Sequence, residues 1–463
     1  MLRVEEDAVR ATVADLTREL GADRVLTGTD VLRQHGTDES WHPPATPDAV
    51  VLPRDTEDAA AIVRACRDYH VPIVPFGAGT SLEGHIAALQ GGISVDMREL
   101  NKILRVSVED MDVTVQAGVK RRQLDERLRP EGVFFSVDPG ADATLGGMIA
   151  TGASGTTSVR YGTMRENVLS LTVVNANGDV VVTRSRARKS SAGYDLTRLL
   201  IGSEGTLALI IEATLRLQPT PEAMSAATCA FETLEGAIDC VIAVLAHGIP
   251  IARIELLDDV QIDAVNRHAE LHLAVAPTLF LEFHGTPQEV ESQAEEVREI
   301  AAEHGGPDFA WASDEGERRR LWRARHGAYD AARALRPGAR GFTTDACVPI
   351  SKLAECIAET KRDIDDSGLI APIVGHVGDG NFHLAILVDP DDPDELRRAV
   401  ELNDRLVRRA IDLGGTCTGE HGVGYGKAPF LELEHGPAAL EMMRAIKHAL
   451  DPDNLFNPGK IIP

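Results

Sequence analysis

Two histidines seven residues apart flank a tight turn in Gly375-His376-Val377-Gly378-Asp379-Gly380-Asn381-Phe382-His383, and about forty residues later the chain reads Gly419-Glu420-His421-Gly422. Imidazoles on either side of a Gly-Asp-Gly turn can converge on one cation. A carboxylate from a later segment can add a third ligand and leave a coordination position open, which is the donor set of a catalytic metal site rather than a closed structural one. His421, directly after that carboxylate, is then available as a base. The same residues also suit two strand-end histidines around a turn, followed by a glycine-rich loop, because polar residues are common in such turns. Taken alone, this segment leaves both readings open.

Three glycine-rich segments lie upstream. The first, Pro75-Phe76-Gly77-Ala78-Gly79-Thr80-Ser81-Leu82-Glu83-Gly84-His85, ends a short apolar run that starts at Val71. Leu82 stands where the dinucleotide fingerprint needs its third glycine, which argues against a nicotinamide-binding unit. Gly77, Gly79, Thr80 and Ser81 still suit a nest of backbone N–H groups around pyrophosphate. The second segment runs from Asp138 through Pro139, Gly140, Thr144, Gly146, Gly147, Gly152, Ser154 and Gly155 to Arg160-Tyr161-Gly162. Its glycines let backbone approach a flat or phosphorylated ligand closely. The third, Gly202-Ser203-Glu204-Gly205-Thr206, precedes a strand. Any one of these is readable as a tight turn, whereas three in one lobe point to a large cofactor.

The elements that must position these residues follow from pattern. An Asn177-Gly178 pair between apolar-rich runs makes Val168 to Thr183 a hairpin, and Thr206 to Leu217 alternates as a strand. Pro219-Thr220-Pro221 reads as a boundary. Beyond it, strand-like runs (Ile251–Leu257, Leu279–Phe283, Phe342–Val348, Ile370–Val374, His383–Val388) alternate with helical ones. The clearest helix follows the capping box Thr286-Pro287-Gln288-Glu289, with apolar positions Val290, Ala294, Val297 and Ala301 and a stop at Gly305. The expected class is α+β, in two lobes. The expected divisions are 1–218, 219–425 and a tail, 426–463, that returns to the first lobe.

At 463 residues the chain is too long for one core. A formal net charge of −25 argues against a nucleic-acid partner, since phosphate binding needs clustered positive charge. No run approaches the ~20 apolar residues of a membrane span. The first residues lack an apolar signal core, so cytoplasmic location is the expectation, with a peripheral association with a membrane through an electron acceptor left open. The six cysteines form no CxxC pair and read as reduced, mostly buried thiols. Asp389 to Glu395 is acidic enough to suggest calcium, but Pro393 and Asp394 stand where an EF-hand needs an oxygen ligand and a glycine.

In their order along the chain, PFGAGTSLEGH, DPGADATLGGMIATGASGTTSVRYG and LLIGSEGTLALI resemble the FAD lobe of the vanillyl-alcohol oxidase/p-cresol methylhydroxylase flavoproteins. GHVGDGNFH, GEHGVGYGK and DPDNLFNPGKI resemble the D-2-hydroxyacid dehydrogenase branch of that family, and the likeness runs from about Ala45 to the C-terminus. The resemblance implies a p-cresol methylhydroxylase-type FAD-binding domain and an α+β substrate domain. It implies FAD held noncovalently by Pro75, Gly77, Ala78, Gly79, Thr80, Ser81, Gly84, Pro139, Gly140, Thr144, Gly146, Gly147, Gly152, Ser154, Gly155, Tyr161, Gly162, Glu204, Gly205 and Ile211, with Asn457 returning from the tail. His85 matches a flavin-attachment position in the wider superfamily, but this branch is ordinarily noncovalent.

The resemblance further implies that His376, His383 and Glu420 ligate Zn²⁺ or Mn²⁺, with His421 as base. Arg325, in Leu321-Trp322-Arg323-Ala324-Arg325-His326, would clamp a substrate carboxylate through its planar fork. Arg323 and His326 are weaker candidates. The implied activity is oxidation of a small D-2-hydroxy acid, D-lactate to pyruvate foremost, by hydride transfer to flavin N5. Relatives specific for 2-hydroxyglutarate place a lysine near Thr343 and an asparagine at Ala385, so a second substrate carboxylate lacks support here; a glycolate-oxidising flavin subunit is the other alternative. Electrons would leave to a separate cytochrome, quinone or electron-transfer flavoprotein, and a homodimer stays open. From a different class, a metal-dependent hydrolase with a nucleotide-binding lobe would use the same histidines.

Overall fold

The computed structural model describes residues 3–269, 271–312 and 314–462. It divides into two compact units. One comprises Met1–Ser154, Gly162–Thr220 and Glu420–Pro463; the other comprises Gly155–Tyr161 and Pro221–Gly419.

In the first unit, the apolar run after Val71 forms the strand Ile73–Phe76. It lies parallel to Ile93–Asp96, which is parallel to Ala49–Val51, and Val25–Leu26 adds an antiparallel edge. Ala49–Val51 and Ile93–Asp96 are buried along their length, as near-continuous apolar strands of a covered parallel sheet should be. A second, antiparallel sheet has the order Ile103–Ser107, Asp112–Gln116, Leu209–Arg216, Val168–Val174, Val180–Val182. Its last pair is the expected hairpin. Gly178 takes a φ of 83°, and Asn175 Oδ1 accepts from the N–H groups of Asn177 and Asp179, so the turn is held by side chain and backbone together. Ile73, Ile93, Val113, Val173 and Ile211 belong to one core that joins the two sheets.

The second unit is built on an eight-stranded sheet. Its order is Asp308–Trp311, Ala223–Ala230, Thr278–Gly285, Arg253–Leu257, Ile373–His376, Asn381–Val388, Arg340–Thr343, and Ala346–Cys347 also pairs with Asn381–Val388. Every pairing is antiparallel. The expected strand at Ile370 begins three residues later, at Ile373; Pro372 just before it has no N–H to give to a ladder. The run Phe342–Val348 is split into Arg340–Thr343 and Ala346–Cys347. Between them the Thr344 N–H still donates to the Leu384 carbonyl oxygen, but the Leu384 N–H turns to Thr344 Oγ1 and Asp345 accepts from Asn381 Nδ2, so side chains take over only part of the ladder.

Helix Pro287–Glu303 carries the full capping box, with the Thr286 N–H 2.8 Å from Glu289 Oε2. It buries Val290, Ala294, Val297 and Ala301, as its apolar stripe requires. Helices Pro287–Glu303, Leu234–Ala246, Leu353–Ser367 and Pro393–Asp412 pack in that sequence against one another. Helices Asp259–Ala269, Glu315–His326 and Ala328–Ala334 form a second group, joined by a core of Leu257, Ile262, Val265, Phe280 and Trp322. Among the described residues no helix is long and apolar enough to cross a membrane.

Candidate active site

The hairpin Ile373–His376/Asn381–Val388 explains the spacing of its two histidines. Val374 is opposite His383 and His376 is opposite Asn381. Residues two apart on a strand share a face, and so do cross-strand partners, so His376 and His383 are diagonal neighbours on one face. Their rings are 5.6 Å apart, centre to centre, and nearly perpendicular. The intervening turn is a single 3₁₀ turn closed by Gly380, whose φ is 78°. A Cβ there would lie 2.1 Å from the Val348 carbonyl oxygen, so only glycine fits. Glu420, peptide-bonded to Gly419, completes the group: one potential ligand atom from each of His376, His383 and Glu420 lies within 4.8 Å of the others.

The hydrogen bonds at these histidines test whether they fit a cation. His376 Nδ1 is 2.8 Å from Glu255 Oε1, and His383 Nδ1 is 3.1 Å from the Thr344 carbonyl oxygen, with Asp345 Oδ1 at 3.6 Å. With Nδ1–H donating to an oxygen, Nε2 keeps its lone pair, which is how a metal-ligating imidazole is ordinarily oriented. The donor set therefore fits a divalent ion that prefers nitrogen and oxygen ligands. Asp345 is fully buried and also accepts from Asn381 Nδ2 and from Thr418 Oγ1, each at 2.7 Å, which ties the strand of His383 to the segment leading to Glu420.

Arg325 is buried, whereas Arg323 and His326 are exposed. Its Nη2 donates to Glu255 Oε2 at 2.5 Å, and its Nε is buried without an acceptor among the described residues. Nothing in the sequence pointed to Glu255 or Asp345 as supports. The available signal was an acid inside an apolar strand, Ile254-Glu255-Leu256-Leu257: such a carboxylate is almost never buried unless paired.

In the first unit the three glycine-rich segments pack closely. Thr144 caps the helix Leu145–Thr151 by accepting from the Gly147 N–H, and Gly152 ends that helix in the left-handed region. A Cβ on Gly77 would fall 2.3 Å from Thr144 Oγ1, one on Gly146 2.7 Å from Ala117 Cβ, and one on Gly205 2.7 Å from Pro75 Cγ. Gly140, by contrast, faces open space. Among the described residues no acceptor pairs with the N–H groups of Gly77, Ala78, Gly79, Thr80 or Ser81. Ser203 Oγ is buried without a partner among the described residues. A cradle of successive unspent donors fits the phosphates of a dinucleotide.

Glu204, with a φ of 54°, accepts from the N–H groups of Val423 and Gly424 at 2.5 and 2.7 Å and lies 3.2 Å from His85 Nε2. Asn457 Nδ2 donates to the carbonyl oxygens of His85 and Glu204, at 3.0 and 2.8 Å, so the tail is fastened to the first and third segments. Burial alone would lower the His85 pKa, but the Glu204 carboxylate, with Glu83 and Asp38 farther off, outweighs it and raises it above its ordinary value.

The remaining expected residues are placed as follows. Ile211 is a core residue whose carbonyl accepts from Ala117 N–H. Ser154 Oγ donates to Glu420 Oε2. Gly155 N–H donates to Ser158 Oγ, Gly84 and Gly162 take φ values of 74° and 77°, and Tyr161 Oη pairs with His284 Nδ1 at 2.9 Å. His421 is half-buried, directly after Glu420.

Residues 47–184 match the family described as FAD binding domain, and residues 220–461 match FAD linked oxidases, C-terminal domain. The chain is 52% identical over 458 residues to the probable mitochondrial D-lactate dehydrogenase of Danio rerio, covering 98% of this chain and 92% of that one. It is 48% identical to the mitochondrial D-lactate dehydrogenase [cytochrome] of Arabidopsis thaliana, covering 95% and 78%. Among solved structures, p-cresol methylhydroxylase with substrate bound superposes with a TM-score of 0.79 at 18% identity, covering 100% of this chain and 98% of that one, a likeness of fold. These matches set aside the hydrolase alternative.

They also correct the expectation of cytoplasmic location, because the relatives from Danio rerio and Arabidopsis thaliana are mitochondrial proteins. That expectation rested on the lack of an apolar signal core, and mitochondrial targeting does not use one: it is read from amphipathic, arginine-rich leaders. With a p-cresol methylhydroxylase-type FAD-binding domain, a separate β-rich cap domain and both family matches in register, the chain belongs to the FAD-linked oxidases of the vanillyl-alcohol oxidase/p-cresol methylhydroxylase family and is an FAD-dependent oxidoreductase.

Proposed function

We propose that the chain oxidises D-2-hydroxy acids, D-lactate to pyruvate foremost, with noncovalent FAD and a divalent ion, Zn²⁺ or Mn²⁺, at His376, His383 and Glu420. The observation that carries the metal part is the orientation of the two histidines, each with Nδ1 engaged by an oxygen, which puts the ring's lone pair on Nε2. When bound, FAD supplies the two-electron acceptor for the α-hydrogen, and the divalent ion supplies the Lewis acidity that eases loss of the hydroxyl proton.

The chain's own residues do the rest. His421 takes the hydroxyl proton, a role suited to an imidazole near neutral pH. Arg325 holds the substrate carboxylate with the N–H donors that Glu255 does not use, Nε among them. Pro75, Gly77 to Ser81, Gly84, Pro139, Gly140, Thr144, Gly146, Gly147, Gly152, Ser154, Gly155, Tyr161, Gly162, Glu204, Gly205, Ile211 and Asn457 are assigned to the flavin. The similarity to D-lactate dehydrogenases supports the substrate. The word cytochrome in the Arabidopsis thaliana relative's name supports a separate cytochrome as acceptor, ahead of a quinone or an electron-transfer flavoprotein.

The test is a panel of D-lactate, glycolate and D-2-hydroxyglutarate, each with cytochrome c, a quinone and a dye as acceptor. D-Lactate is expected to give the highest kcat/KM, and a faster dicarboxylate would sink the substrate assignment. Acid precipitation should release FAD into the supernatant; colour retained in the pellet would show attachment through His85 or another side chain.

A further inference from the structure

We infer that Glu255 is a positioning residue that fixes His376 as a metal ligand and anchors Arg325 with its other oxygen; this rests on the metal reading above. The strand Arg253–Leu257 pairs antiparallel with Ile373–His376, with Leu256 opposite Gly375 and Leu257 opposite Val374. One step further along that register, Glu255 comes opposite His376, on the same face of the sheet. Its side chain is only 1% exposed. Its two oxygens are spent separately, Oε1 on His376 Nδ1 and Oε2 on Arg325 Nη2.

A carboxylate can only accept, so the hydrogen in the first contact belongs to His376 and the lone pair stays on Nε2. The two histidines are therefore not equivalent. His383 rests principally on a neutral carbonyl, whereas His376 rests on a charged group that makes its imidazole a stronger donor toward a cation. A buried ion pair that served stability alone would need only Arg325 and Glu255. The third member, aimed at a ring nitrogen of a ligand histidine, is what a stability role leaves unexplained.

The experiment is metal affinity by chelator competition, with Zn²⁺ and Mn²⁺, on flavin-loaded protein. Glu255→Gln keeps the shape and removes the charge, and its metal Kd should rise by about 10–100-fold at unchanged flavin content. A rise of less than tenfold overturns the inference. Should Glu255→Gln not accumulate as flavin-loaded protein, Glu255→Asp carries the same test and the same threshold, because it withdraws the carboxylate from Nδ1 by one methylene. Wild-type protein that takes up neither ion overturns the metal reading and this inference with it. Wild-type uptake that is lost in His376→Ala but stays within tenfold in the Glu255 variant overturns this inference alone.

Discussion

Thr343 and Ala385 are directly opposed across the antiparallel pair Arg340–Thr343/Asn381–Val388, and Ala385 stands two residues beyond His383 on the same strand. Both therefore share the face of the sheet that carries His383. Neither side chain offers a positive charge or an amide to a second carboxylate. D-Lactate should accordingly exceed D-2-hydroxyglutarate in kcat/KM. Thr343→Lys with Ala385→Asn should shift that ratio toward the dicarboxylate by about 10–100-fold, the range of one hydrogen bond to a charged group. An unchanged ratio would place the determinant of chain length elsewhere.

On the proposed ligand set, His376→Ala and His383→Ala should each abolish bound divalent metal and turnover while leaving flavin content nearly intact, because both histidines lie on the second unit's hairpin and the proposed flavin segments do not. Elemental analysis alongside flavin absorbance checks this. Equal metal content in wild type and in the double variant would refute the ligand assignment.

How far the sequence could be read depended on the range of the interaction. The hairpin at Asn177-Gly178 and the helix after Thr286 are set by residues a few positions apart, and both formed as expected. The convergence of His376 with His383 was legible for the same reason, since one short turn brings them together. Glu420 entered through its motif. Glu255 was not legible, because its partners His376 and Arg325 are 121 and 70 residues away and only the strand order of the sheet joins them. The same holds for Asp345, whose partners Asn381 and Thr418 are 36 and 73 residues away.

His85 makes a prediction about pH. Its folded-state pKa is raised above the ordinary 6.5, chiefly through Glu204 working against burial. Between the two values the folded chain binds more protons at this site than the unfolded chain does, so the His85 contribution to stability is complete below 6.5 and is lost as pH rises through the folded value. The stability difference between wild type and His85→Asn, from urea titrations at a series of pH values, should therefore shrink as pH rises. A difference that grows with pH would show that burial, not Glu204, governs this imidazole.

The last prediction concerns His421, the residue directly after Glu420, the third of the proposed metal ligands. Glutamine keeps the polarity and approximate size of imidazole but cannot accept a proton near neutral pH. If His421 takes the hydroxyl proton, His421→Gln should lower kcat by about 10²–10⁴-fold, the usual range for losing a general base. Metal and FAD content should be unchanged, which separates this variant from those at His376 and His383. KM should change little, since carboxylate binding is assigned to Arg325. Arg325→Lys should show the opposite split, raising KM for every 2-hydroxy acid, because an ammonium cannot reproduce a planar fork. Steady-state kinetics on both variants, with metal and flavin quantified in the same preparations, decide the assignment. Full kcat in His421→Gln would remove His421 as the base.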